Sequence, residues 1–239
     1  MPDTFGELGG AVSKRELKIY WLVDVSGSMH GDKIATVNRA IKAVIPELSD
    51  VSDENPEVQM YVRAMKFGTG AQWHTNETKI EDFKWHDITT SGVTHMGAAM
   101  RLMAQELTPE KMGQRAIPPV LILISDGEPN DDYEAGLKEL LGQKWAQKSV
   151  RIAIAIGSDA DIDELSKFCS HPKENPPLVA DRASDLIKFI KWASVEVSKS
   201  VSTSVISPAS GAPVSIPAPP QPQVTIGGSS DSDDADDVW

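Results

Sequence analysis

The chain has 239 residues, with 35 acidic side chains against 23 basic ones and a formal net charge of −12; this balance disfavours nucleic acid and anionic membrane as partners and suits a basic protein surface. The single cysteine, Cys169, excludes an internal disulfide, and no apolar stretch approaches the roughly 20 residues of a membrane-crossing helix. The start, MPDTFGELGGAVSKRE, has neither the basic nor the apolar region of a secretion signal, so a cytoplasmic protein with one α/β core is expected.

Residues 1–16 read as an N-terminal extension. Leu17, Ile19, Trp21, Leu22 and Val23, with no charge after Lys18, predict a strand buried on both faces, as a parallel sheet requires. It ends at Asp24 and turns through Ser26, Gly27 and Ser28. Ile34, Val37, Ala40, Ile41, Val44 and Ile45 then recur at helical spacing, with the last turn expected to close near Pro46. Val58 to Phe67 alternates like a strand. Ala71 to Trp85 is polar, room for a short edge strand and a surface loop. A hydroxyl-bearing turn, Ser91-Gly92-Val93-Thr94, precedes a helical run from Ala98 to Leu107.

Pro119 to Ile124, PVLILI, is a second buried strand, and it runs into Ser125-Asp126-Gly127. Beyond it the sequence predicts a helix over Tyr133 to Gln147, a strand over Val150 to Gly157, a short helix over Asp163 to Phe168, a last strand at Leu178 to Ala180 and a helix over Ser184 to Ser200. The whole is a Rossmann-like, doubly wound, mostly parallel sheet of six strands flanked by helices, occupying residues 17–201. Residues 202–239 change to a Pro/Ser/Gly linker and an acidic tail, DSDDADDVW, expected to be disordered or extended.

In an open α/β sheet, ligands sit beyond the carboxyl ends of the strands. Asp24, Ser26, Ser28, Thr94 and Asp126 come from three such loops and are all oxygen donors, the ligand type of a hard divalent cation. The pattern DxSxS, then a GxT-like turn, then a strand ending in SDG resembles the von Willebrand factor A domain and its metal-ion-dependent adhesion site, the MIDAS, over about residues 17 to 200. The resemblance implies that these five residues hold Mg²⁺, with Mn²⁺ or Ca²⁺ as alternatives, and that an Asp or Glu of a protein partner completes the shell. Within the family, DVSGSMHGDKI, SGVTHMGAAM and ISDGEPND look most similar to bacterial TerY-like proteins of tellurium resistance and stress response. That likeness implies a signalling complex with a kinase or phosphatase encoded nearby. Neutral hydroxyls leave much of the ion's charge unneutralised, which favours an incoming carboxylate and a non-enzymatic adaptor.

The rival reading is a Mg²⁺-dependent phosphoryl-transfer or hydrolytic enzyme with an aspartyl nucleophile. It lacks the second carboxylate of a DxD turn, because position 26 is Ser. Acid or base candidates near the ion would be His30, Asp32, His95 and Glu128; solvated loop positions are the plainer account of both histidines. Asp159, Asp161, Asp163 and Glu164 imitate a calcium loop without its glycine, so Asp161 or Asp163 is expected to cap the next helix. Glu128-Pro129-Asn130-Asp131-Asp132 is expected to cap the helix near Tyr133, to select a basic partner, or both. Cys169 suits a packed core position. The tail invites two ideas: recognition of Trp239 by a partner groove, and a tail aspartate on the ion of the same chain or of a neighbouring copy, giving autoinhibition or self-association.

Overall fold

The computed structural model describes residues 14–158, 160–206 and 216–221. Its sheet is built from β1 (Arg15–Asp24), β2 (Val58–Gly68), β3 (Gly70–Trp73), β4 (Thr78–Lys79), β5 (Val120–Ser125), β6 (Val150–Ile156) and β7 (Leu178–Ala180). The order is β3-β2-β1-β5-β6-β7; β3 and β4 run antiparallel to β2, and every other pairing is parallel. The expected edge strand is therefore present, and two-residue β4 makes a seventh strand. The described part of the N-terminal extension already contributes, since β1 begins at Arg15.

Alternation along β1 explains why the strand is apolar on both faces from Ile19 to Val23. Leu17, Ile19, Trp21 and Val23 enter one core layer, and Tyr20 and Leu22 enter the other. The first layer is covered by α1 (Asp32–Glu54), α7 (Ala183–Lys191) and α8 (Val197–Ile206); the second by α2 (Met96–Glu106), α4 (Tyr133–Leu141) and α6 (Ile162–Phe168). Two short helices, α3 (Pro109–Met112) and α5 (Lys144–Lys148), complete the set. Lys18, 4 % exposed, is tolerated in β1 because its ammonium donates to Glu77 Oε1 at 3.0 Å and to the Lys111 carbonyl at 2.9 Å.

Three elements differ from expectation for local reasons. The first helix does not close at Pro46 but runs to Glu54. Pro46 lies on the exposed face, where the carbonyl deprived of a donor meets water, while Val44, Leu48 and Val51 continue the buried stripe. The expected helix over Tyr133 to Gln147 is two helices broken at Gly142 and Gln143. The last helix outruns both Ser200 and the expected domain end at 201: α7 passes through a π-helical turn, Trp192–Glu196, into α8. In that turn Ser194 Oγ accepts from Trp21 Nε1 at 3.0 Å. Of the linker, Ile216 to Gln221 is described; Ile216 packs against the core. The acidic tail and Trp239 lie outside the described residues. Among those described, no helix is long and apolar enough to cross a membrane.

Candidate metal site

Parallel register builds the floor of the site. Val23 pairs with Ile124, so β1 and β5 end side by side, with Asp24 and Ser125 as neighbours. Ser125 Oγ donates to Asp24 Oδ2 at 2.6 Å, and the Ser26 amide donates to Asp24 Oδ1 at 2.7 Å. Both Asp24 oxygens are thus engaged by the loops that they fasten together. Asp24 is fully buried, and burial pushes its carboxyl up from 3.8 to about 6; the hydrogen bonds from Ser125 and Ser26 oppose the shift and the Asp126 charge adds to it. A cation nearby would favour the ionised form.

Above this floor the oxygens of Ser26, Ser28 and Asp126 form a chain. Ser26 Oγ lies 2.9 Å from Ser28 Oγ, and Ser28 Oγ donates to Asp126 Oδ1 at 2.8 Å. Adjacent oxygens around Mg²⁺ are about 2.9 Å apart, from an octahedron with metal–oxygen distances near about 2.1 Å. Thr94 is brought to the same place by the third loop. A Cβ built on Gly127 would lie 3.3 Å from Thr94 Oγ1 and 3.8 Å from Ser28 Oγ, so both hydroxyls flank the space left by that glycine. All five predicted oxygen donors therefore converge on one cradle. Ser28 is exposed, whereas Ser26, Thr94 and Asp126 are buried.

The donor set fits a hard cation. Among the described residues, no three His, Cys, Asp or Glu side chains cluster as ligands for an ion; here two carboxylates are joined by three hydroxyls. The remaining Asp126 oxygen, Oδ2, accepts from Lys33 Nζ at 2.7 Å.

Sequence reasoning missed the residues that hold the loops. Asn130 braces Thr94 from both sides: its Oδ1 accepts from the Thr94 amide at 2.9 Å and its own amide donates to the Thr94 carbonyl at 2.8 Å. Asp131 caps α2, accepting from the Gly97 and Ala98 amides, each at 2.8 Å. The capping role that the sequence predicts for the acidic run at the helix near Tyr133 is filled by Asp132, which accepts from the Ala135 amide. His95 is not simply solvated; its Nδ1 accepts from the Gly70 amide at 2.9 Å and its amide donates to the Gly68 carbonyl. His30 is exposed beside Thr90. Asp161 caps α6, through the Glu164 amide at 2.9 Å. The signal available for Asn130 and Asp131 was their position directly after the Asp126 loop.

The family of this fold is the von Willebrand factor type A domain. Its model matches residues 18–191, most of the chain, and the protein belongs to that family. No curated protein matches it by sequence. Among solved structures, it is similar to a von Willebrand factor type A protein from Catenulispora acidiphila, at 17 % identity and TM-score 0.60 over 78 % of this chain and 43 % of that one. It is also similar to the pilus adhesin SpaC of Lactobacillus rhamnosus GG, at 14 % identity and TM-score 0.63, covering 78 % of this chain and 30 % of that one. A third similar structure is proximal thread matrix protein 1 of the mussel byssus, described with a zinc-occupied MIDAS motif, at 18 % identity and TM-score 0.56 over 77 % and 48 %. The chain thus spans less than half the length of each of these proteins, and likeness at such identities concerns the fold.

Proposed function

We propose that the protein is a non-enzymatic adaptor whose MIDAS, formed by Asp24, Ser26, Ser28, Thr94 and Asp126, holds Mg²⁺ and through it an acidic side chain of a protein partner. The observation that carries this reading is the Ser26–Ser28–Asp126 oxygen chain at 2.9 and 2.8 Å, the spacing of neighbouring ligands around a small divalent ion. The zinc-occupied MIDAS motif of the mussel protein supports a divalent metal in a domain of this fold. When bound, the ion supplies a Lewis-acidic position that a carboxylate can fill. Ser28, exposed at the rim, faces the arriving group, while buried Asp24 ties the Ser26 turn to Ser125. Position 26 carries a hydroxyl where an aspartyl phosphotransferase would carry an acid, which disfavours that chemistry at this turn.

The finer placement follows the sequence motifs. DVSGSMHGDKI and ISDGEPND resemble TerY-like proteins, and this resemblance supports a role in a bacterial, cytoplasmic stress-response complex with a kinase or phosphatase as its partner.

The test is calorimetric titration with Mn²⁺ and Mg²⁺, followed by capture of that kinase or phosphatase with ion and with chelator. Ser28→Ala is the cleanest variant, because Ser28 is exposed; Asp24→Ala would also strand the Ser26 amide and Ser125 hydroxyl. One site in wild type, at least about tenfold weaker in Ser28→Ala, with partner capture lost in chelator, is the expected result. Equal affinity in the two proteins, or capture indifferent to ion, would overturn the reading.

A further inference from the structure

Lys33 stands where a cation is needed and no ligand rule of the site requires a lysine. It is the second residue of α1, and its ammonium reaches Asp126 Oδ2 at 2.7 Å. The Asp126 side chain is fully buried, and that of Lys33 is 16 % exposed. The two Asp126 oxygens are therefore divided: Oδ1 belongs to the hydroxyl chain, and Oδ2 to the lysine. Asp24 is spent on hydrogen-bond donors of the loops, so Asp126 is the carboxylate of the site whose charge is met by a cation of the chain itself. A buried carboxylate without such a partner is costly, more so beside a second carboxylate.

We infer that Lys33 is a tethered counter-cation: it neutralises Asp126 through their ion pair, competes with the divalent ion for that carboxylate, and turns outward when the ion binds. The inference rests on the metal reading above and adds a residue to it. Lysine suits the task, since its compact charge sits on a flexible four-carbon stem and can leave without disturbing the backbone of α1. Partial exposure gives the stem a route to solvent at the rim. Turned outward, the ammonium lies beside the position open to a partner, where it meets the same chemical class, a carboxylate. The ion and the partner are then coupled through Lys33. Without a partner, the site carries a surplus of positive charge, and an acidic side chain relieves it.

The consequence for ion affinity has a sign opposite to that of a purely structural role. A divalent ion and an ammonium sharing one carboxylate repel enough to weaken binding by about tenfold or more at a protein surface. Removing the charge should therefore tighten the site, whereas loss of a merely architectural contact would loosen Asp126 and weaken it. Lys33→Met keeps the apolar stem, Lys33→Gln keeps a hydrogen-bond donor, and Lys33→Arg keeps the charge.

The experiment is Mn²⁺ titration of the full chain, by calorimetry and by the electron paramagnetic resonance signal of free Mn²⁺, with Ser28→Ala alongside. Thermal unfolding in chelator provides a readout free of metal. Expected are affinities about tenfold or more tighter in Lys33→Met and Lys33→Gln, an affinity within about threefold of wild type in Lys33→Arg, and a lower melting temperature of Lys33→Met in chelator. Binding that is lost in Ser28→Ala yet unchanged or weaker in both neutral variants would overturn the inference and leave the metal reading standing. Wild-type protein that binds no Mn²⁺ would overturn both.

Discussion

Gly136→Ala tests whether the scaffold that carries Thr94 is as tightly interlocked as it looks. In an unconstrained helix the substitution would stabilise by about 1 kcal/mol, because alanine loses less backbone freedom. Here the new Cβ would collide with the carbonyl oxygen of Gly97 and lie 2.9 Å from its carbonyl carbon and Cα. All three are backbone atoms of α2, so no side-chain end can swing aside. Relief requires α2 and α4 to separate by about 1 Å, which forfeits a quarter to a half of each dispersion contact across that interface. Overpacking of this kind costs about 1–3 kcal/mol, and a contact this short belongs at the upper end. Set against the helical gain, the net loss is about 2 kcal/mol. For a domain of this size that is a fall of roughly 4–8 °C in melting temperature. Urea unfolding followed by circular dichroism, in chelator, measures it with no contribution from bound ion. Gly97→Ala is the partner experiment: its Cβ would meet the Asp132 carbonyl oxygen at 2.5 Å and Asp131 Oδ2 at 2.9 Å. Because the two glycines touch one another, the double variant should lose less than the sum of the singles. A Gly136→Ala protein as stable as wild type, or more so, would refute the interlock.

Two further outcomes follow from side chains that the sequence did not single out or placed only generally. Asn38 Oδ1 accepts from Trp85 Nε1 at 2.9 Å and from the Ile88 amide at 3.0 Å, while its Nδ2 donates to the Ile88 carbonyl at 3.0 Å. Asn38→Ala leaves these partners buried and unpaired, so denaturant unfolding should show a loss of roughly 3 kcal/mol; a loss below about 1 kcal/mol would mean that water reaches them. Burial pushes the Cys169 thiol up from 9.0 to about 11, with a backbone hydrogen bond and Arg151 opposing. The native protein holds this proton where the unfolded chain releases it, so the group takes stability away as pH rises from about 9 to 11 and nothing below. Native Cys169 should resist iodoacetamide at pH values near about 8 and react on unfolding; rapid alkylation of folded protein would contradict the packed position.

Elements with a long, consistent period were legible in the sequence. β1, β5 and β6 are apolar on both faces, and that run of residues has few alternatives to a central parallel strand. The five site oxygens were legible because each lies within a few residues of a strand or helix end, and in an open sheet those ends lie together. What could not be read were pairings settled by the third dimension. Lys33 meets Asp126 across 93 residues and Ser125 meets Asp24 across 101, and neither has a spacing rule. Asn130 and Asp131 lie in a run with the composition of a helix cap, yet the helix that Asp131 caps is α2, which precedes it in sequence, and Asn130 holds the Thr94 backbone instead. Pro46 misled because its local effect on a helix is real, yet a tertiary stripe continuing through Leu48 and Val51 outweighs it.

The acidic run after Asp126 shows why formal charge is a poor guide to what a partner meets. From the sequence, Glu128, Asp131 and Asp132 add three negative charges beside the site. In the fold, Asp131 is spent on two backbone amides of α2 and Asp132 on an amide of α4, each at a helix N-terminus where the macrodipole stabilises a carboxylate. Lys33 answers Asp126 in the same way. Glu128 and Asp132 stay exposed at the rim, so part of the run's charge is engaged by helix amides and part still faces solvent. That matters for the proposed binding mode, because an arriving carboxylate would be repelled by a free acidic rim. With Asp131 held on the α2 amides and Asn130 on the Thr94 backbone, the loop that carries Asp126 also fixes Thr94 in place beside the approach to Ser28.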